Sequence, residues 1–191
     1  STLIKVISGY YRPDSGTIRI DGRTFTSLTP AESIRHGVQV IYQDFSLFPN
    51  LSVMENLALN AEVARGSHLV SYRRMRETAQ QAVEKIGLDV DMNARVADLS
   101  VADRQMIAIA RALAHKAKVV IMDEATASLT RKEVNRLFDV IHAMRDEGVA
   151  VVFVSHKLDE VFEISDAITI FRNGKNVVSC PANEMDEAWF S

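Results

Sequence analysis

The segment Val119-Val120-Ile121-Met122-Asp123-Glu124 constrains the chain more than any other. It is an apolar run, rich in β-branched residues, that stops at two adjacent carboxylates. Such a run reads as a fully buried strand of a parallel sheet. Asp and Glu are rarely buried unless paired or bound to a metal. Both therefore belong at the carboxyl end of the strand, the rim where open α/β sheets bind ligands.

The rest of the chain supplies a frame for that strand. The pattern predicts an opening helix ended by Gly9, a turn at Pro13-Asp14-Ser15-Gly16, and a strand over 17–21 closed by Asp21-Gly22. Thr29 and Pro30 mark the next helix start, and a buried strand over 38–42 leads to Gln43. From 52 to 88 the periodicity is helical. Ser52 and Glu55 have capping-box spacing, and the amphipathic stretch 71–86 has Arg73, Arg74, Arg76, Glu77 and Glu84 on a solvated face. Ser100 is the expected N-cap of a helix over 102–114. Strands at 119–123, 149–154 and 167–171 then alternate with helices at 131–147 and 157–164, which predicts a parallel sheet with right-handed crossovers. Asn173-Gly174 turns the chain into a short strand over 175–179. The expected architecture is an α/β sheet core made of 1–43 and 117–180, interrupted by a helical insert over 44–116 and followed by a tail at 181–191.

Composition removes several function classes. The formal charge of -3 argues against a nucleic-acid surface, which is usually basic. No apolar stretch approaches the roughly 18 residues that span a bilayer. The single cysteine, Cys180, excludes a disulfide framework and a thiolate metal site. His36, His68, His115 and His142 have no metal-ligand spacing, and Met54, Met75, Met106 and Met122 read as core fillers.

Four polar residues remain at predicted strand ends: Gln43, Asp123, Glu124 and His156, the last following the apolar run 151–154 and Ser155. Phosphoryl transfer from a nucleotide needs Mg²⁺, donors for the phosphates and a group that orients the attacking water. Asp123 suits the ion, Glu124 the water and His156 the γ-phosphate. A Ser hydroxyl opening a helix, as at Ser1-Thr2, suits Mg²⁺ and phosphate.

These residues resemble, in order, the motifs of the nucleotide-binding domain of ATP-binding-cassette (ABC) transporters, whose core has the P-loop NTPase fold. Ser1-Thr2 resembles the end of the Walker A motif, and Tyr42-Gln43-Asp44 the Q-loop. The run from Leu99 through Ser100, Val101, Ala102, Asp103 and Arg104 to Gln105 resembles the signature sequence. Residues 119–124 resemble Walker B, Ala127-Ser128-Leu129-Thr130 the D-loop and Ser155-His156 the switch histidine. The Ser100-Val101-Ala102 variant, the D-loop and the Phe171-Arg172-Asn173-Gly174 ending resemble the first cassette of double-cassette monosaccharide importers.

The resemblance implies an ATPase subunit that binds ATP with Mg²⁺ and sits peripherally on the cytoplasmic face of the inner membrane. It pairs with a second cassette and drives membrane permease subunits. It implies Ser1, Asp123 and Gln43 around the metal, Glu124, His156 and Gln43 in catalysis, and Ser1 and Thr2 at the nucleotide. Ser100, Ala102 and Asp103 would meet the nucleotide of the opposing cassette. The segment 45–51, with Phe45, Leu47, Phe48 and Leu51, either docks the permease or packs inside the insert.

Three departures from the family pattern stand out. The glycine-rich loop and Lys expected before Ser1 are absent, so the chain is expected to begin inside Walker A and to be idle by itself. Ala102 replaces a Gly and would be strained if the position needs positive φ. Ala125 replaces a Pro. An inactive structural fragment and a soluble non-transport ABC ATPase are the competing expectations. The second would show coiled-coil insertions or basic linkers, and neither is present.

Overall fold

The computed structural model describes residues 2–42, 47–64 and 71–185. Three parallel strands form its centre: β3 (Val38–Ile41), β4 (Val119–Asp123) and β5 (Ala150–Val154), in the order β3-β4-β5. β4 is the middle strand, with Ile41 opposite Met122 on one side and Asp123 opposite Val154 on the other. Its hydrogen bonds are shared on both flanks, which accounts for a strand whose three central residues are all buried.

Alternation along β4 divides the core. Val120 and Met122 face a large cluster built with α5 (Val101–Ala114) and α6 (Arg131–Asp146). Ile121 and Val119 face the other way, onto Ile4 of α1 (Thr2–Ile7). By the same two-residue period Asp123 projects on the α1 side. Val152, on that side of β5, is left 43% exposed, so α1 covers β3 and β4 better than β5.

α1 is held at its far end by α2 (Pro30–Arg35). Ser33 Oγ donates to the Ile7 carbonyl at 2.9 Å. Gly9 has φ +80°, and a Cβ there would stand 2.4 Å from the Thr29 carbonyl carbon. The backbone approach is closer than any side chain allows.

α3 (Val53–Ala64), α4 (Tyr72–Lys85) and α5 form the helical part. Ser52 and Glu55 make the predicted capping box: Ser52 N and Oγ donate to Glu55 Oε2 at 2.8 and 2.7 Å, and Glu55 N donates back to Ser52 Oγ at 3.2 Å. Thr29 and Glu32 do the same at α2. Met54, Met75, Met106 and Met122 are all buried. Asn56, 4% exposed, receives the Phe48 N–H at 2.8 Å and donates to the carbonyls of Phe48 and Ser52, both at 3.0 Å. Within the described part of the 45–51 segment this turns Leu47 against the large core cluster and leaves Phe48 52% exposed. Phe45 lies outside the described residues.

Two hairpins complete the fold. β1 (Ile18–Ile20) and β2 (Arg23–Phe25) join through Asp21 and Gly22, both at positive φ, as a type I′ turn requires. The expectation that 167–171 joins the parallel sheet is not met. β6 (Ala167–Arg172) pairs antiparallel with β7 (Lys175–Pro181) as a separate two-stranded sheet. Asn173 and Gly174, at φ +51° and +75°, set this partner, because a two-residue I′ turn returns the chain along the strand it has just left. α7 (Leu158–Ile164) lies between β5 and that hairpin.

Candidate functional site at the strand ends

β4 and β5 deliver the central residues of the site to one edge. The Glu124 N–H donates to the Val154 carbonyl at 2.9 Å, which continues the β4–β5 ladder one step beyond the strands. Glu124 itself has φ +51°. A side chain in this left-handed region costs on the order of 1 kcal/mol, and such residues persist only where their surroundings determine them fully. The turn re-aims the Glu124 carboxylate toward β5. Its Oε1 lies 3.4 Å from Nδ1 of His156, two residues beyond the end of β5. Both side chains are open to solvent, at 45% and 68% exposure. Asp123 is half-buried beside them.

Adjacent to this pair along the chain is a polar cluster that sequence reasoning missed. Glu160, in the first turn of α7, is 7% exposed, and Thr126 is 1% exposed. Thr126 Oγ1 donates to Glu160 Oε2. Lys157 Nζ donates to Glu160 Oε1 at 3.1 Å and to the Thr126 carbonyl at 3.0 Å. The only signal in the sequence was an i, i+3 pair, Lys157 and Glu160, on a short helix.

The signature-like residues lie on a different element. Ser100 caps α5: its Oγ accepts from Asp103 N at 3.0 Å and donates to Asp103 Oδ2 at 2.8 Å. Ser100 is exposed while Ala102 is buried. Ala102 sits within the helix and not at positive φ, so replacing a Gly here brings no strain. Thr2 is the first residue of α1, on the Asp123 side of the sheet. Ser1 and Gln43 fall outside the described residues. The structure thus brings Asp123, Glu124 and His156 to one edge and places Ser100, Ala102 and Asp103 at the start of α5.

Among the described residues no group of three or more His, Cys, Asp or Glu could enclose a metal ion. The donor at the edge is instead the half-buried Asp123 carboxylate at the end of β4. It fits Mg²⁺, which takes one or two carboxylates and keeps water and phosphate oxygens for its remaining positions.

The structure is similar to solved ABC cassettes. It matches the ADP conformation of MJ1267, an ATP-binding cassette of an ABC transporter, with a TM-score of 0.81 at 23% identity, covering 96% of this chain and 76% of that one. cbiO1 from Clostridium perfringens, part of the ABC transporter complex cbiONQ, gives 0.80 at 23% identity over 96% of this chain and 72% of its own. Among curated proteins, the ribose import ATP-binding protein RbsA 1 of Rubrobacter xylanophilus is 48% identical over 93% of this chain. RbsA 3 of the same organism is 46% identical over 98%. The putative ribose/galactose/methyl galactoside import ATP-binding protein of Pseudomonas syringae pv. tomato is 37% identical over 97%. The chain spans 35%, 38% and 35% of the lengths of these three relatives. The sequence profile of the ABC transporter family matches residues 1–127, and the chain belongs to that family.

Proposed function

We propose that the chain is an ATP-binding, ATP-hydrolysing cassette of a transporter that imports a monosaccharide. The observation that carries this reading is the meeting of Glu124 and His156, 3.4 Å apart, beside Asp123 at one sheet edge. The names of the ribose and galactose import relatives supply the substrate class.

Asp123, with Ser1 and Gln43, would hold Mg²⁺, which when bound neutralises charge on the phosphates. Glu124 orients the attacking water and takes its proton. His156, within reach of the same carboxylate, stabilises charge on the transferred phosphoryl group. Gln43 reports the γ-phosphate to the helical part, 44–116, which we read as a subdomain inserted into the core formed by 1–43 and 117–180.

The exposed start of α5 suits the nucleotide held by a second cassette, because free N–H groups at a helix N-terminus favour phosphate. For this, Ser100 must release its hydroxyl from Asp103 and turn it to the phosphate. Phe48, exposed and held by Asn56, is the described residue best placed to meet a permease. The cassette would then work peripherally at the cytoplasmic face of the inner membrane. Among the described residues no helix is long and apolar enough to cross a membrane.

The test uses the purified full-length protein with its permease in vesicles. ATP hydrolysis that rises when the imported monosaccharide is supplied to the vesicles is expected. Absence of ATP binding would overturn it.

A further inference from the structure

We propose that Glu160 and Lys157 are positioning residues for the Glu124–His156 pair, a role that rests on the ATPase reading above. The pair is two exposed groups, and contacts between exposed charges do little to hold a geometry. Something else must set their separation, and Glu124 in addition occupies a left-handed backbone conformation.

The Thr126–Lys157–Glu160 cluster lies where such a control has to be. Thr126 is two residues beyond Glu124, and Lys157 is one residue beyond His156. The hydroxyl and the carbonyl of Thr126 each engage the Glu160–Lys157 ion pair. The turn after β4 is thereby tied to the first turn of α7. The turn is closed on itself as well, because Ala127 N donates to the Glu124 carbonyl at 3.1 Å and Leu129 N to the Thr126 carbonyl at 3.2 Å.

Stability alone does not account for this arrangement. The Lys157 side chain is 36% exposed and that of Glu160 9%, and an ion pair so placed contributes little net stability. What it supplies is directional bonding, here from one carboxylate and one ammonium to a single residue. Strained backbone is maintained in that way when the surroundings leave it no alternative. Glu160 and Lys157 touch neither nucleotide nor water in this account. They act through Thr126 and through the start of α7.

The experiment measures kcat, KM for ATP, nucleotide affinity and thermal stability in the full-length protein. The variants are Glu160→Ala, Lys157→Met, their double, Thr126→Val and Thr126→Ser. Glu160→Ala and Thr126→Val are expected to lower kcat at least about tenfold, as a displaced catalytic group does, with KM and affinity within about threefold. Thr126→Ser keeps the hydroxyl and is expected to restore most of kcat. The double variant should be no slower than the slower single, because both side chains hold one turn.

If Glu160→Ala fails to fold, the comparison of Thr126→Val with Thr126→Ser decides the matter. Equal kcat for Val and Ser, or losses that only follow the folded fraction, would overturn the proposal. If Glu124→Gln abolishes turnover while Glu160→Ala and Thr126→Val leave it unchanged, the brace is wrong and the ATPase reading stands. If the wild-type protein hydrolyses no ATP, the ATPase reading fails, and the brace with it.

Discussion

His156 Nδ1 lies 3.4 Å from Glu124 Oε1, each residue just beyond the end of its own parallel strand. The two side chains are too exposed for their attraction to stabilise the fold appreciably. Their nearness follows from the register of β4 and β5 and from the turn at Glu124. His156→Ala should therefore change stability by less than about 0.5 kcal/mol. Turnover should nevertheless fall by roughly 10²–10³ through loss of a positioned group that stabilises charge on the transferred phosphoryl. Denaturant unfolding beside an ATPase assay checks both halves, and a large stability loss would contradict the first.

Gly9 is a second point of control, since it lets the end of α1 approach α2. Gly9→Ala combines an unfavourable positive φ with a clash against the Thr29 backbone. The expected loss exceeds about 1 kcal/mol, more than the conformational preference alone. A chemical denaturation midpoint indistinguishable from wild type would contradict the close approach.

Asn56 ties the 48–52 segment to α3 through the backbone of Phe48 and Ser52. Asn56→Leu leaves the Phe48 N–H without its acceptor, whereas the Phe48 and Ser52 carbonyls keep the amides of Leu51 and Asn56, so the expected loss is about 1 kcal/mol. Hydrogen exchange should rise first at the amide of Phe48, which Asn56 accepts. Protection of that amide equal to wild type would show that the segment is held by other means.

Acid should destabilise the fold through several groups that act in the same direction, His115 and Glu55 among them. Burial, aided by the nearby Arg111 charge, holds His115 below the usual histidine range. The unfolded chain then takes up the proton more readily than the folded one, so this stability is present above the ordinary histidine pKa and lost as the pH falls through it. Hydrogen bonds from Ser52 hold Glu55 below the usual glutamate range. Its contribution is present above the ordinary value and lost at still lower pH. His115→Gln should flatten the loss of stability between about pH 7 and 5 without altering the drop below it.

Much of this fold was legible because its signals are local. The N-cap at Thr29, the capping box at Ser52, the turns at Asp21-Gly22 and Asn173-Gly174 and the buried strand ending at Asp123 each depend on residues within a few positions of one another. The capping box at Thr130, where the Thr130 N–H donates to Glu133 Oε2 at 2.7 Å, is an equally local signal. The partner of β6 was misread because alternation of strand and helix identifies strands but not the edges they join. The Thr126–Lys157–Glu160 cluster could not be read in this way. It joins residues more than thirty positions apart, and nothing near Thr126 in the sequence announces a buried carboxylate. The positive φ of Glu124 was equally hidden, because tertiary contacts maintain it against local preference.

The central claim is that Glu124, at the tip of β4, activates the water that attacks ATP. The most direct test compares single-turnover ATP hydrolysis by the full-length protein with that of its Glu124→Gln variant, nucleotide binding being measured in parallel. Retained ATP affinity is expected, with hydrolysis slower by roughly 10² or more, as for loss of general-base assistance. Hydrolysis at the wild-type rate with affinity unchanged would contradict it.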